Sequence, residues 1–188
     1  MARCNKRSSV LGFFALLALP AAHAATDTTV HFEANINETC DIKLDRHTIH
    51  FGVLRTSSFT PQFTGAIQPI TATVECDNTS PAPGPKITVT GTTPFAGNNA
   101  VFRDVASTAA GLGFMVQKDT GTTPSLAGFY DPGTAVSVTQ PVTLGAVAAT
   151  TPTPQKFWLG LVREAGVPAA SVTGGILEAT ITFNVAFN

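Results

Sequence analysis

The sequence predicts an all-β protein, an antiparallel sandwich, and three observations carry that expectation. From Ala25 onward 28 of 164 residues are threonine, with valine, isoleucine and phenylalanine spread between them; these side chains suit the pleated, half-buried surface of a strand. Proline and glycine recur every 8 to 15 residues, too often for long helices. At the C-terminal end Leu177, Ala179, Ile181, Phe183, Val185 and Phe187 alternate with Glu178, Thr180, Thr182, Asn184 and Ala186, a period of two that puts all six apolar residues on one face. Short strands separated by regular turn signals indicate a sandwich.

In chain order the expected strands are Cys40–Leu44, Ile49–Val53, Ile70–Cys76, Ile87–Thr90, Leu112–Gln117, Val136–Leu144, Phe157–Arg163 and Ile176–Phe187. Ala106–Leu112 is the one stretch with the composition of a short helical turn. The segments Thr79–Pro85 and Ala146–Pro154 are Pro/Ala/Thr loops within a domain, and no internal repeat is present. One domain is expected over 40–188.

Residues 1–24 have the pattern of a signal peptide: Arg3, Lys6 and Arg7, a ten-residue apolar run from Val10 to Leu19, then Ala22-His23-Ala24. That ending is the small-x-small cleavage pattern, and the run is too short to span a bilayer. After cleavage eight of the eleven basic residues remain against twelve acids, a net charge of about −4. No basic cluster is left to hold a phosphate backbone, so nucleic acid is not an expected partner. No later apolar run reaches the length of a membrane span, so no membrane anchor is expected. Cys40 and Cys76 form the one even pair beyond the leader, which in an exported chain reads as a disulfide.

The two ends of the mature chain share an oddity. The terminal strand is long, apolar on one face, and lacks the proline or lysine that usually blunts an exposed edge. Near the other end Val30, Phe32, Ala34 and Ile36 alternate with His31, Glu33 and Asn35, an amphipathic strand lying before the first cysteine. Periodicity leaves two pairings open: an ordinary first strand of its own sheet, or a detached strand that pairs elsewhere.

Taken as an ordered set, these features resemble the fimbrial subunits of chaperone–usher pili. The set comprises Val30-His31-Phe32-Glu33-Ala34-Asn35-Ile36 before Cys40, then Phe51-Gly52 and Val74-Glu75-Cys76. It continues with Gly111-Leu112-Gly113-Phe114, Gln117-Lys118-Asp119, and Gly174-Gly175 leading into the terminal strand. The resemblance implies an incomplete immunoglobulin-like sandwich that lacks its seventh strand and is completed in trans by β-strand addition. Residues 25–39 would be the donor-strand extension, inserting Val30, Phe32, Ala34 and Ile36 into a neighbouring subunit. The acceptor groove, and the strand bound by a chaperone, would present Leu177, Ala179, Ile181, Phe183, Val185 and Phe187.

The partners implied are neighbouring pilus subunits, a periplasmic chaperone and an outer-membrane usher. The location implied is the cell-surface fimbria, reached through the periplasm, with a contribution to cell adhesion. Two residues depart from the family's habit: Ala34 stands where donor arms usually carry glycine, and Phe187 where the penultimate residue is usually tyrosine. A minor adaptor or a terminator of the same pilus would carry most of the same features. A tip adhesin would need an added lectin domain, for which the chain is too short.

No enzymatic constellation emerges. There is no G-x-S-x-G, H-E-x-x-H or glycine-rich phosphate loop, and no cofactor is expected. His47 and His50 are three apart, which in an extended strand places them on opposite faces, so they do not form a metal pair. Asp104, Asp119 and Asp131 sit beside turn residues, where carboxylates bond local amides. Trp158 lies in a run apolar on both faces and is expected in the core. Tyr130, next to Phe129, lies in a loop and packs on its own sheet. A self-sufficient secreted sandwich that binds carbohydrate is the reading from another class; it would rest on Tyr130 and Phe129 facing sugar.

Overall fold

The computed structural model describes residues 39–60, 62–80 and 83–187. The expected leader at 1–24 and the alternating segment at 30–36 lie outside the described residues. Seven strands are present among those described: β1 (Cys40–Leu44), β2 (Thr64–Cys76), β3 (Lys86–Thr90), β4 (Leu112–Lys118), β5 (Val142–Thr143), β6 (Thr153–Arg163) and β7 (Thr182–Ala186). They form two antiparallel sheets, one ordered β1-β2-β6-β4 and the other β5-β3-β7. The all-β prediction therefore holds, and the fold is an immunoglobulin-like sandwich.

The core between the sheets follows from strand alternation. β2 contributes Ile70, Ala72, Val74 and Cys76, β6 contributes Phe157 and Leu159, and from the facing sheet come Ile87, Val89, Val142 and Phe183. Cys40 pairs with Cys76 in the β1–β2 register, and the two are joined by a disulfide. It closes a 36-residue separation, worth roughly 3–4 kcal/mol through the entropy of the unfolded chain.

β6 and β4 are apolar on both faces because both faces are covered. On the outside Val162, Met115, Val101, Ala135 and Phe129 make a separate buried cluster, with Trp158 packed against it. Gly160 is the contact that lets Phe129 lie flat on the sheet: a Cβ there would stand 2.0 Å from the Phe129 ring. The Trp158 indole N–H donates to Asp119 Oδ1 at 3.1 Å, which satisfies its polar edge while the ring packs.

Several boundaries differ from expectation. β2 begins six residues before Ile70 and contains Pro69. β1 reaches only to Ala72, so Pro69 lies where β2 has one open side, a place that tolerates a missing N–H. The region 136–144 keeps only two strand residues, because Val136 instead bonds across to Val116. No helical turn forms at 106–112; that segment bonds to the chain at 173–178. Short 3-10 turns occur instead at Thr56–Phe59 and Ala169–Ser171. The expected strand Ile49–Val53 has no ladder partner among the described residues.

Candidate functional site

The principal cleft lies between that unpaired stretch and the chain approaching β7. Its volume is about 700 Å³. One wall runs through Arg46, His47, Ile49, His50, Phe51 and Leu54, and the other through Leu177, Ala179, Ile181 and Phe183. The floor is the inner face of the four-stranded sheet: Ile70, Leu112, Phe114, Leu159 and Leu161. At one end Leu44 lies with Ile181 and Phe183, and Phe59, Ala109 and Thr173 also line the cleft.

The first wall is held by side chains alone. Residues 46–54 make no backbone hydrogen bond among the described residues. Ile49, Phe51 and Leu54 instead turn inward onto the core, the Phe51 ring packing at a tilt against Phe114 with centroids 5.3 Å apart. His47, His50 and Val53 remain exposed.

The second wall is bonded along one edge only. The carbonyls of Ile176 and Glu178 accept from Thr108 and Asp104, both at 2.8 Å. Ser107 Oγ accepts the Glu178 N–H at 3.0 Å and donates to its carbonyl at 3.0 Å. In an extended chain successive residues direct their N–H and C=O to opposite edges, so Leu177 and Ala179 direct theirs away from this loop. From Thr182 on, β3 takes over as the bonded neighbour, and no strand lies on β7's other edge among the described residues. Among the described residues the cleft is thus bounded by two segments without backbone partners on their facing sides, above an apolar floor. An unpaired backbone group shut away from water costs about 1–3 kcal/mol, so such a cleft suits an inserted strand better than a compact solute.

The sequence-predicted acceptor residues divide. Leu177, Ala179, Ile181 and Phe183 line the cleft. Val185 packs against the central core instead, and Phe187 is 37% exposed at the end of the described chain. The alternation is as expected, but regular strand pairing covers only Thr182–Ala186, since the loop 104–109 takes the hydrogen bonds of the preceding segment. Sequence reasoning did not mark the opposite wall as part of a site. Its signal was present in Ile49, Phe51 and Leu54, an apolar stretch interrupted by Gly52 at φ 73°.

The residues weighed for sugar contact are otherwise engaged. Phe129 is 2% exposed. Tyr130 stacks on Phe63, centroids 5.0 Å apart, and its hydroxyl accepts from the Ala165 N–H at 3.1 Å. Burial raises the Tyr130 pKa above the ordinary phenol value. His47 and His50 both border the cleft, and no cluster of three or more metal-ligating side chains occurs among the described residues.

Residues 26–188 match the fimbrial protein family. The chain belongs to that family. No curated protein matches this fimbrial protein in sequence. Its fold is similar to that of a subunit in a chaperone–usher pilus structure concerned with rod uncoiling, at 15% identity and TM-score 0.52, covering 87% of this chain and 97% of that one. The P pilus rod subunit PapA is similar at 16% identity and TM-score 0.51, over 79% of this chain and 99% of PapA. A Burkholderia pseudomallei antigen and type I fimbria protein is similar at 16% identity and TM-score 0.50, over 80% and 100% of the two chains.

Proposed function

We propose that this fimbrial protein is a structural subunit of a chaperone–usher pilus, and that its sandwich is completed by the N-terminal arm of a neighbouring subunit. The observation that carries this reading is the cleft itself. Among the described residues its two walls lack backbone partners on the facing edges, and an apolar floor that includes Ile70 and Leu161 lies between them. A donated strand would supply backbone partners to both walls and apolar side chains to the floor at every second residue.

The chain's organisation in this reading is a signal peptide at 1–24, a donor extension at 25–39 and the sandwich at 40–188. Val30, Phe32, Ala34 and Ile36 are the inserted residues. Burial of Val30, Phe32 and Ile36 at about 1.5–3 kcal/mol each contributes roughly 5–9 kcal/mol before ordering costs. That is comparable to the whole stability of a domain, so the subunit depends on the strand it receives. A periplasmic chaperone covers the cleft before assembly, since an open apolar edge promotes aggregation. An outer-membrane usher delivers the subunit to the surface fibre. No helix among the described residues is long and apolar enough to cross a membrane. The role is architectural, in a fibre that serves adhesion.

The residues lining the cleft run from Leu44 to Thr173, a span that suits an inserted strand. The test is polymer formation by the full chain and by Phe32→Arg. The proposal expects a ladder of oligomers for the first and none for the second; an undiminished ladder for Phe32→Arg contradicts it.

A further inference from the structure

The wall at 176–181 has no strand beside it; a loop holds it in place. These residues precede β7 and form no ladder among the described residues, yet Ile176, Glu178 and Thr180 are each tied to the loop 104–109. Two outward N–H groups are received by hydroxyls: that of Ile176 by Thr108 Oγ1 at 2.8 Å, and that of Glu178 by Ser107 Oγ at 3.0 Å. The loop returns donors to the matching carbonyls, from Thr108 and Ala109 to Ile176 and from Asp104 to Glu178. Thr180 reaches back with its own hydroxyl to Asp104 Oδ2 at 2.9 Å.

The loop is itself held from inside. Arg103 Nη2 donates to the carbonyls of Ser107 and Ala109, both at 2.8 Å. The Arg103 Nε is buried without a partner, a desolvation cost that a side chain turned out to water would avoid. On the wall side Gly175 approaches so closely that a Cβ there would stand 2.6 Å from both Ala109 N and Thr108 Oγ1. Ser107 is buried and Thr108 exposed. Neither lines the cleft, whereas Leu177, Ala179 and Ile181 do.

We propose that Ser107 and Thr108 are positioning residues for strand acceptance: their hydroxyls keep the wall from Ile176 to Ile181 extended before assembly, so that an incoming strand meets an edge already in line. This rests on the donor-strand reading above and adds the residues outside the cleft that prepare it. Alternate residues of an extended chain present their backbone to opposite edges. Pairing Ile176 and Glu178 outward therefore leaves the groups of Leu177 and Ala179 directed to the cleft. A surface ordered in advance avoids the ordering cost at association. Without the two hydroxyls the outward N–H groups lose their acceptors, and a segment with no ladder neighbour frays.

The experiment uses the full chain diluted from denaturant and compares wild type with Ser107→Ala, Thr108→Val, Gly160→Ala and Phe32→Arg. Thr108→Val is isosteric and lies at an exposed position, so it decides the question if Ser107→Ala folds poorly. Gly160→Ala perturbs the outer cluster around Phe129 and controls for plain loss of stability. Hydrogen exchange over 173–181 is read in the freshly diluted chain, and polymer growth by light scattering and an unboiled gel. Every variant is held at the same interval below its own melting temperature. Each hydroxyl variant is expected to exchange these amides faster, and to polymerise more slowly, by on the order of tenfold; Gly160→Ala should match wild type in both. Hydroxyl variants that exchange and grow like Gly160→Ala, while Phe32→Arg makes no polymer, overturn the positioning role and leave the donor strand standing. Faster exchange without slower growth overturns it too, since the loop would then have no part in acceptance. Polymer from Phe32→Arg sinks the donor-strand reading itself, and this proposal with it.

Discussion

The rings of Phe157 and Phe183 meet edge to face, centroids 5.4 Å apart and planes at 65°. One belongs to an inner strand of the larger sheet, β6, and the other to an edge strand of the smaller, β7. The pair therefore packs the cleft wall at Phe183 onto the sheet that carries the floor. Phe183→Ala leaves a cavity beneath that wall and is expected to cost about 3–5 kcal/mol. A lowered urea midpoint with an unchanged slope would show this; polymer yield should fall with it, since the wall loses its seat.

Gly160 lies under the Phe129 ring, and an added methyl would stand 2.0 Å from a ring carbon. Phe129 is buried and has nowhere to swing. Gly160→Ala is expected to destabilise by about 1–3 kcal/mol, lowering the melting temperature by about 2–4 °C per kcal/mol in a domain of this size. A Cβ at Gly145 would meet no atom within 4 Å, so Gly145→Ala is the matched control and should melt near wild type.

Trp158 is the sole tryptophan, which makes its bond to Asp119 optically visible. That bond, with the Gly121 N–H at 3.0 Å, holds the Asp119 carboxyl below its ordinary pKa. A depressed folded-state pKa adds stability that is present above the unfolded value, about 3.9, and is lost as pH falls through the folded one. The carboxylate is partly solvated, so the stability term is small. Tryptophan emission is the better readout: it should change as pH drops below about 3.9, and Asp119→Asn should remove that change.

Reduction of the Cys40–Cys76 bridge frees a 36-residue separation in the unfolded chain and is expected to cost roughly 3–4 kcal/mol. Paired Cys40→Ser and Cys76→Ser should shift the urea midpoint accordingly. Equal stability with and without the bridge would contradict an unfolded-state mechanism.

The core strands were legible in the sequence because alternation and turn residues are local. β1 has the predicted bounds, β3 and β4 differ from theirs by one residue, and β6 begins four residues earlier than expected, at Thr153. What escaped were features set by distant partners. The terminal strand is shorter than its alternation because Ser107 and Asp104, some seventy residues earlier, take the bonds of Glu178. Pro69 sits inside a strand because β1 ends before reaching it. Of the site, the wall at Leu177–Phe183 was legible from its one-sided apolar pattern. The facing wall at 46–54 was not, since an extended segment without a ladder partner is read as an ordinary strand.

The most direct measurement is thermal unfolding of the body from Glu38 to Asn188, with and without a peptide spanning Ala25–Thr39. If the cleft accepts this arm, the peptide raises the melting temperature by on the order of 10 °C or more, and the same peptide with Phe32→Arg does not. A body that folds stably and melts at one temperature whatever peptide is present would contradict the account.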